Sequence, residues 1–292
     1  MSWQTGLDTI IDDRVPLGPH TYYRLGGPAR WFVRPRTVDE LSEVVRRTVE
    51  EGIDVRTLGL GANVLVNDDG VDGVVMRLDR GELARTTFRD STLIAGAGAN
   101  MMRVVVEAAR RGLGGLSCMA GIPGTIGGCL RGNAGGRFGE ISDTVRRVTV
   151  LDPAGKPRVL ERDEIEFDYR HSSLHDELIV SAEFALEPGE ATARRRRLRE
   201  IWNYKKGTQP LAARSCGCVF KNAREAPAGA LIERAGLKGF ARGRAQVSRR
   251  HANFIIAHDG ATASDVRALI DHVRDRVSRE FHVDLELEIE VW

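Results

Sequence analysis

The chain has 292 residues, 42% of them hydrophobic, which is enough to bury a substantial core and to form about two domains. Its 43 basic and 41 acidic residues leave a net charge of +2, so there is no global electrostatic footprint for nucleic acid or for an anionic membrane. No apolar run approaches the roughly 18 residues that a membrane span needs, and residues 1–15 lack the pattern of a signal peptide. We therefore expect a soluble cytoplasmic protein, and nothing in the sequence indicates an obligate protein partner.

The four cysteines, Cys118, Cys129, Cys216 and Cys218, follow no common zinc-binding pattern, so no metal site is expected. Structural disulfides are not expected in a chain without an export signal. Residues 216–220 are predicted to form a strand, which would place Cys216 and Cys218 on one face in a geometry that is poor for a disulfide.

The first third of the chain is predicted to form a β-α-β-β unit. Its helix begins after Thr37 and ends at Gly52, with a buried face of Leu41, Val44, Val45 and Val49. Its strands are predicted over 29–33, 55–58, 64–66 and 74–78. The loop Gly59-Leu60-Gly61-Ala62-Asn63 is followed by a strand, not a helix, so it differs from the Rossmann dinucleotide fingerprint. Backbone N–H groups without a helix can still hold phosphate.

A second unit follows, in which a helix over 100–111 is predicted to bury Met102, Val105, Val106 and Ala109. Its strands are predicted over 93–95, 145–151, near 159 and over 178–186. Pro188-Gly189-Glu190 is typical of a linker. The sequence therefore predicts three parts, at 1–80, 81–188 and 189–292.

Within the second unit, residues 121–141 form a glycine-rich loop that begins Gly-Ile-Pro-Gly-Thr-Ile-Gly-Gly. Such a loop presents bare backbone N–H groups and permits positive φ, which suits close approach to a phosphate or a flat ring. Glycine-rich turns between strands are also common, so the loop alone leaves both interpretations open.

The last third begins with a basic helix over about 191–205 that contains Arg194–Arg197. This run fits either a solvated helix face or a surface that guides a phosphorylated substrate. Thr262 is predicted to cap a final helix whose buried stripe is Val266, Leu269, Ile270, Val273 and Val277. A closing strand over 285–291 would carry Glu286, Glu288 and Glu290 on one face, and solvation accounts well for Glu286 and Glu290.

Eight segments, taken together and in this order, resemble the bacterial UDP-N-acetylenolpyruvoylglucosamine reductases (MurB). They are 21–29 (TYYRLGGPA), 59–66 (GLGANVLV), 121–140 (GIPGTIGGCLRGNAGGRFGE), 169–172 (YRHS), 208–210 (TQP), 217–222 (GCVFKN), 236–239 (GLKG) and 247–254 (VSRRHANF). The compact last third resembles the shorter type of the family, which lacks an extra substrate-covering loop. The resemblance implies an α+β fold of the vanillyl-alcohol-oxidase (PCMH) type, with two α/β FAD-binding subdomains and a C-terminal α+β substrate domain.

The family's chemistry implies non-covalent FAD as cofactor and NADPH as hydride donor. The flavin then passes the hydride to the enolpyruvyl group of UDP-N-acetylglucosamine enolpyruvate. Negative charge develops at C2 and on the neighbouring carboxylate, and a protein acid protonates C2 to give UDP-N-acetylmuramate, a peptidoglycan precursor.

Three positions match the family's catalytic residues. Arg170 would stabilise the developing enolate, as an enolate requires a fixed cation and hydrogen-bond donors; a surface ion pair is the alternative. Glu288 matches the catalytic glutamate, although the register along Glu286, Glu288 and Glu290 leaves its assignment open. Cys218 stands where the family usually has a serine, and a thiol, with an ordinary pKa near ~8.5, is the stronger acid. A small thiol packed in a strand is the alternative for Cys218.

The resemblance also assigns binding residues. Those for the cofactor are Gly59, Gly61, Ala62, Asn63, Gly121, Pro123, Gly124, Thr125, Gly127, Gly128, Asn133, Gly135, Gly139 and Ile141. Those for the substrate are Tyr169, Lys221, Asn222 and His251. Ala62 replaces a hydroxyl residue of the family's phosphate loop, and Cys129, Leu130 and Arg131 replace smaller or apolar residues. These departures keep two rivals open: an FAD oxidase of the same fold, and a binding protein that has lost catalysis.

Overall fold

The computed structural model describes residues 3–224 and 226–292. Contacts divide the chain into two compact units made of discontinuous segments. Unit 1 comprises the N-terminal residues through Asp13 with Trp31–Gly59 and Gly73–Tyr204, and unit 2 comprises Arg14–Arg30, Leu60–Asp72 and Lys205–Trp292. The predicted linker at 188–190 lies inside unit 1. The three-part division at 80 and 188 stays a prediction.

Three helices begin directly after a capping residue. Thr37, Asn100 and Thr262 each accept a hydrogen bond from a backbone N–H in the first turn of the helix that follows. The α-helices of the described residues are α1 (Val38–Glu50), α2 (Met101–Arg110), α3 (Ile126–Arg131), α4 (Ala191–Thr208), α5 (Ala228–Arg234) and α6 (Ala263–Phe281). Short 3-10 turns lie at Gly18–His20, Gly81–Ala84, Ser117–Met119, Ile141–Thr144 and Arg162–Glu164. No helix in these described ranges is both long and apolar enough to cross a bilayer.

The strands are short, and many contain two or three residues. In chain order they are β1 (Ile11–Pro16), β2 (Pro28–Val33), β3 (Val55–Thr57), β4 (Val64–Leu65), β5 (Val71–Met76), β6 (Thr86–Arg89), β7 (Thr92–Gly96), β8 (Leu113–Gly114), β9 (Gly135–Gly136), β10 (Gly139–Glu140), β11 (Val145–Leu151), β12 (Pro157–Glu161), β13 (Phe167–Asp168), β14 (His171–Ser172), β15 (Leu178–Ala185), β16 (Glu187–Pro188), β17 (Ala241–Arg242), β18 (Ala245–Val247), β19 (Ile255–Ala257) and β20 (Glu290–Val291).

The main sheet of unit 1 has five antiparallel strands in the order β12-β11-β15-β7-β6. Ala182 of the central strand lies opposite Val148 on one side and Ala95 on the other. Helix α2 buries Val104, Val105 and Ala108 in the core of this unit. A second sheet, in the order β1-β2-β5-β3, contains the parallel pair β3 and β5. Helices packed on a largely antiparallel sheet confirm the predicted α+β class.

Unit 2 is built around α6. Its predicted stripe is confirmed, because all of the following side chains are buried: Val266, Leu269, Ile270, Val273 and Val277. The three-stranded antiparallel sheet β17-β18-β19 belongs to the same unit, as does the parallel pair β4 and β20, in which Glu290 lies opposite Val64. Thr262 caps α6 as predicted, and together with Asp265 it forms a capping box.

Two helix faces differ from the predicted ones. In α1, Val49 is 55% exposed and Thr48 is fully buried, with its hydroxyl donating to the Val44 carbonyl. In α2, Met102 and Val106 are only partly buried, because the inward face is centred on Val104 and Ala108. Both helices contain runs of apolar residues, so more than one face of each helix is apolar. The sequence pattern alone therefore did not determine which face is buried.

One predicted strand is wrong and another is shorter than predicted. The segment 216–220 turns at Gly217, where φ is +76°, so Cys216 and Cys218 do not share a strand face. Instead, the side-chain amide of Asn253 bonds to both the N–H and the carbonyl of Phe220, at 3.0 and 2.8 Å, where a neighbouring strand would bond. The closing strand is also shorter than predicted, since β20 holds two residues and Leu287 makes only an isolated bridge to Phe220.

Candidate active site

A cavity of unit 1 lies where its glycine loops meet the ends of β3 and β5. Its walls are residues 57–59, 77–79, 97–98 and 177–179 together with Thr125, Gly127, Gly128 and Arg131. Gly59, Thr125, Gly127 and Gly128, all predicted to bind the cofactor, are therefore brought together. The wall residues 77–79 and 177–179 were missed by sequence reasoning, although strand termini at a glycine loop are a usable signal.

The glycines of this cavity permit close approach of backbone segments. A Cβ on Gly59 would lie 2.8 Å from Thr125 Oγ1, the atom that accepts a hydrogen bond from Gly128 N at 3.3 Å and caps α3. A Cβ on Gly127 would lie 3.0 Å from the Ala97 Cβ. The missing side chains at Gly59 and Gly127 therefore let the glycine-rich segments pack closely against their neighbours in the cavity wall.

Some N–H groups that the sequence predicted to be bare are used within the fold. Ile126 donates to the Ala99 carbonyl at 3.0 Å, and Gly127 donates to the Ala97 carbonyl at 2.8 Å. Helix α3, which the sequence did not predict, is thereby tied to the segment after β7. At these two positions the backbone N–H groups are therefore not available to a ligand.

Asn133 occupies a strained and buried position, with φ at +40° and 1% exposure. Its Nδ2 donates to Glu140 Oε2 at 2.6 Å and to the Asp168 carbonyl at 3.1 Å. Its Oδ1 is buried and accepts no hydrogen bond from the described residues. Because an unsatisfied buried acceptor costs about 1–3 kcal/mol, this atom fits a donor on a bound cofactor.

The remaining cofactor candidates of unit 1 flank Asn133. Gly135 and Gly139 lie in the β9–β10 hairpin, where a Cβ on Gly135 would lie 2.6 Å from Glu140 Cα. Gly121 has φ at +75°, and Pro123 and Gly124 lead into Thr125. Ile141 is fully buried, and its N–H donates to the Ala134 carbonyl. The Ile141 side chain therefore belongs to the core of the unit.

Tyr169 and Arg170 form the turn between β13 and β14. Arg170 has φ at +56°, a conformation that costs a non-glycine residue roughly 1–2 kcal/mol. Its Nη2 donates to the Gly135 carbonyl at 3.0 Å, and its guanidinium lies 5.3 Å from the centre of the Tyr169 ring. This turn thereby fixes the arginine beside the hairpin that carries the cofactor candidates.

In unit 2, Asn63 is bonded to the last segment of the chain. Its Nδ2 donates to the Glu288 carbonyl at 2.9 Å, and its own carbonyl accepts the Glu290 N–H at 2.9 Å. Gly61 has φ at +64°, and a Cβ there would lie 2.5 Å from the His20 carbonyl oxygen. Ala62, partly buried, lies between these two anchors.

The Cys218 and Glu288 segments are neighbours in unit 2. Glu288 N donates to the Val219 carbonyl at 2.8 Å, and Lys221 N donates to the Glu286 carbonyl at 2.9 Å. Cys218 and Glu288 are both partly buried. Cys216, two residues before Cys218, is buried, and this burial raises the pKa of its thiol to about 12. The Cys216 thiol therefore stays protonated and unreactive.

The three glutamates of the closing segment have different surroundings. Glu286 is exposed and forms an ion pair with the Lys221 ammonium. Glu290 Oε2 accepts from Trp292 Nε1 at 3.3 Å. The structure thus gives Glu286 a local partner, Lys221, which the sequence had assigned to the substrate.

The other two substrate candidates lie close to α5. Asn222 Oδ1 accepts the Ala228 N–H at 3.1 Å, which caps the first turn of α5. His251 Nδ1 accepts the Asn253 N–H at 3.3 Å. Burial and then the nearby Lys238 ammonium lower the pKa of His251, so it is neutral at pH 7. Among the described residues, no cluster of three or more His, Cys, Asp or Glu is placed to hold a metal ion.

Two family descriptions match the chain. One, for an FAD binding domain, covers residues 29–161, and the other, for the C-terminal domain of UDP-N-acetylenolpyruvoylglucosamine reductase, covers residues 209–292. A reductase of that name from Moorella thermoacetica is 43% identical over 290 residues, which is 99% of this chain and 95% of the relative. Reductase 2 from Symbiobacterium thermophilum is 43% identical over 95% of this chain and 90% of its own length.

Solved structures agree with these sequence matches. The UDP-N-acetylenolpyruvylglucosamine reductase of Thermus caldophilus superposes with a TM-score of 0.83 at 37% identity, over 96% of this chain and 98% of that one. Phl p 4.0202, a glucose dehydrogenase, superposes with a TM-score of 0.51 at 13% identity over 65% of this chain and 45% of its own, a likeness of fold alone. The predicted FAD-binding fold with a C-terminal domain is confirmed.

Proposed function

The chain belongs to the UDP-N-acetylenolpyruvoylglucosamine reductase family and is an FAD-dependent oxidoreductase, and from that premise we propose its detailed reaction. It reduces the enolpyruvyl group of UDP-N-acetylglucosamine enolpyruvate to UDP-N-acetylmuramate, with NADPH as hydride donor, for peptidoglycan synthesis in the cytoplasm. The observation that carries this proposal is 43% identity over 99% of the chain to a reductase of that name.

Two observations in unit 1 support FAD as the cofactor. Gly59, Thr125, Gly127 and Gly128, all predicted to bind it, line one cavity, and the buried Asn133 Oδ1 on the same glycine-rich segment has no donor among the described residues. When bound, FAD supplies hydride transfer between NADPH and the enolpyruvyl group. The chain's own residues bind the reactants and manage charge and protons.

Arg170 is proposed to stabilise the negative charge that develops when the vinyl group accepts a hydride. A fixed cation aimed at a developing oxyanion lowers the barrier because it needs no reorganisation during the reaction. The turn conformation and the hydrogen bond to Gly135 hold this arginine before substrate arrives. Tyr169, stacked near the guanidinium, is proposed to contact the substrate with it.

Cys218 is proposed to donate the proton that C2 of the substrate receives. Its thiol is partly accessible, whereas the Cys216 thiol two residues earlier is buried. Glu288, held by backbone hydrogen bonds beside Val219, is proposed to orient the substrate or to supply a protonated carboxyl group nearby. Lys221, Asn222 and His251 are proposed to bind the rest of the sugar nucleotide.

An anaerobic two-step titration tests the reaction directly. FAD-loaded protein is bleached with stoichiometric NADPH, and the enolpyruvyl sugar nucleotide is then added. Recovery of the oxidised flavin spectrum with formation of UDP-N-acetylmuramate is expected. Bleaching that persists until air is admitted would show an oxidase, and absence of bleaching would show a binding protein without this activity.

A further inference from the structure

The side-chain amide of Asn133 has one orientation that its neighbours permit. Its Nδ2 lies 2.6 Å from Glu140 Oε2 and 3.1 Å from the carbonyl oxygen of Asp168. A carboxylate and a backbone carbonyl only accept hydrogen bonds, so the atom that faces both of them must be the amide nitrogen. The amide oxygen, Oδ1, therefore lies at the other end of the group and acts as an acceptor.

This oxygen is an acceptor in the interior of unit 1. Asn133 is 1% exposed, and its Oδ1 accepts no hydrogen bond from the described residues. Buried acceptors in native structures are nearly always paired, because an unpaired one loses its bond to water and gains nothing in exchange. A donor on a bound group would supply that bond.

The surroundings of Asn133 indicate which part of FAD carries the donor. Asn133 Nδ2 bonds to the carbonyl of Asp168, two residues before Arg170. Arg170 Nη2 in turn donates to the carbonyl of Gly135, two residues after Asn133, at 3.0 Å. Arg170 is the residue proposed above to act on the group that receives the hydride, so the isoalloxazine ring, not the adenine, belongs at this end of the site. The oxidised isoalloxazine ring has a single N–H group, at N3.

We propose that Glu140 is a positioning residue, which holds the Asn133 amide so that Oδ1 accepts the N3–H of the isoalloxazine ring. Through the role of Arg170 it rests on the reaction proposed above, and it adds the residue that orients a cofactor contact. Glu140 is itself fixed, because its N–H donates to Asp143 Oδ2 at 2.9 Å. It also pairs with Gly135 across the β9–β10 hairpin. The Glu140 carboxylate therefore acts on the amide from a rigid backbone.

Two flavins test the contact with Asn133. FAD and 3-methyl-FAD, which has a methyl group in place of the N3 proton, are titrated by flavin fluorescence. Wild type should bind 3-methyl-FAD at least about tenfold more weakly than FAD, because the bond is lost and the methyl group meets a buried oxygen. Asn133→Gly removes the side chain and tolerates positive φ, so its two affinities should differ by less than about threefold. ADP, which lacks the ring and is followed by its competition with FAD, should bind both proteins alike.

Variants of Glu140 test its positioning role through the same ratio of affinities. Glu140→Met removes the acceptor and leaves the amide held by the Asp168 carbonyl alone, so the ratio should fall by about threefold or more. Glu140→Gln should restore most of it, because its Oε1 can accept from Asn133 Nδ2. Added to Asn133→Gly, Glu140→Met should not change the ratio further, since it acts through that amide. Glu161→Met is the matched control, because the exposed Glu161 is likewise the N-cap residue of a 3-10 turn, and it should keep the wild-type ratio.

Equal affinities of wild type for FAD and 3-methyl-FAD would overturn the proposal, as would a tenfold difference that persists in Asn133→Gly. A wild-type ratio in Glu140→Met, or a further change when Glu140→Met is added to Asn133→Gly, would exclude the positioning role. If Asn133→Gly does not fold, wild type and the two single Glu140 variants still decide the outcome. A ratio that depends on Glu140 in a protein that fails to reduce the sugar nucleotide would support this proposal and refute the proposed reaction. Reduction of the sugar nucleotide without discrimination between the two flavins would do the reverse.

Discussion

The Glu288 N–H donates to the Val219 carbonyl at 2.8 Å, which fixes the glutamate beside the residue that follows Cys218. On the other side, the Glu288 carbonyl accepts from Asn63 Nδ2 at 2.9 Å. Both backbone polar groups of Glu288 are thus engaged, and its side chain projects from a rigid position. An acid at Cys218 and a carboxyl group at Glu288 would therefore act from adjacent segments of unit 2.

Replacement of Cys218 tests its role as the acid. Cys218→Ser should keep appreciable activity, because the hydroxyl can donate a proton from the same position. Cys218→Ala should lose about 10²–10⁴-fold in kcat, the usual contribution of a general acid. Steady-state rates and the stoichiometry of flavin reoxidation measure both variants. A wild-type rate in the alanine variant would exclude Cys218 as the proton donor.

The pH profile provides a second test of the same residue. A thiolate has no proton to give, so the wild-type rate should fall as the pH becomes alkaline. Cys218→Ser should lack that fall, because a serine hydroxyl does not ionise in this range. Matching profiles for the two enzymes would contradict the assignment.

Arg170→Gly separates catalysis from folding. Glycine adopts positive φ without strain, which offsets part of the loss of the hydrogen bond to the Gly135 carbonyl. The variant should therefore lose no more than about 1.5 kcal/mol of stability, while kcat falls by about 10²–10³-fold from loss of the cation. Thermal unfolding and steady-state rates give the two readouts. Arg14, with φ at +49°, is the matched control, and Arg14→Gly should keep both stability and activity. A large loss of stability in Arg170→Gly with unchanged kcat would instead show a structural arginine.

Elements were predicted correctly where the capping residues and the apolar pattern of the local sequence match the way the element packs. Helix α6 has a capping box at Thr262 and one clear apolar stripe, so its start and buried face were both correct. The segment 216–220 failed because its backbone bonds to the side chain of Asn253, a contact distant in sequence that no local pattern encodes. The grouping of contacts into two discontinuous units is likewise a property of long-range packing.

In the candidate site too, local motifs could be predicted from the sequence and long-range contacts could not. Glycine loops and motif residues were visible in the sequence, and the structure places four of the predicted cofactor residues around one cavity. The ion pairs around Asp79 and Glu177 were not visible, because they join residues 45 and 19 positions apart. Helix α3 was missed because its glycines argue against a helix, whereas the Thr125 cap and contacts with the segment after β7 favour one.

Gly59→Ala tests whether the cavity depends on close approach of its two loops. The added Cβ would lie 2.8 Å from Thr125 Oγ1 and displace the cap of α3. We expect FAD affinity to fall by about tenfold or more, as for a distortion of about 1.4 kcal/mol or above. Flavin fluorescence measures it. Gly132→Ala is the control, because a Cβ there meets no atom within 4 Å. Equal FAD affinity in both variants would show that the contact does not shape the cofactor site.

Asp68 supplies a pH-dependent contribution to the stability of unit 2. Its Oδ1 accepts the Ala263 N–H at 2.8 Å, and its Oδ2 accepts the Ser264 N–H and hydroxyl at 3.0 and 2.7 Å, at the start of α6. Partial burial raises the pKa of this carboxyl, but hydrogen bonds from Ser264 and Ala263 outweigh burial and hold the pKa below its ordinary value. A lowered folded-state pKa stabilises the fold above the unfolded-state pKa of ~3.9, and this contribution is lost as the pH falls through the folded-state value.

Asp68→Asn should therefore reduce the free energy of unfolding by about 0.5–1 kcal/mol at pH 7, the usual value of an anion at a helix N-terminus. The difference from wild type should persist at pH 5 and shrink at pH 3, because the wild-type carboxyl then begins to protonate and loses the charge that asparagine lacks. Urea denaturation at the three pH values measures it. Asp69→Asn, an exposed neighbour, should show no such dependence. A difference that stays constant or grows between pH 7 and pH 3 would mean that the Asp68 charge does not stabilise α6.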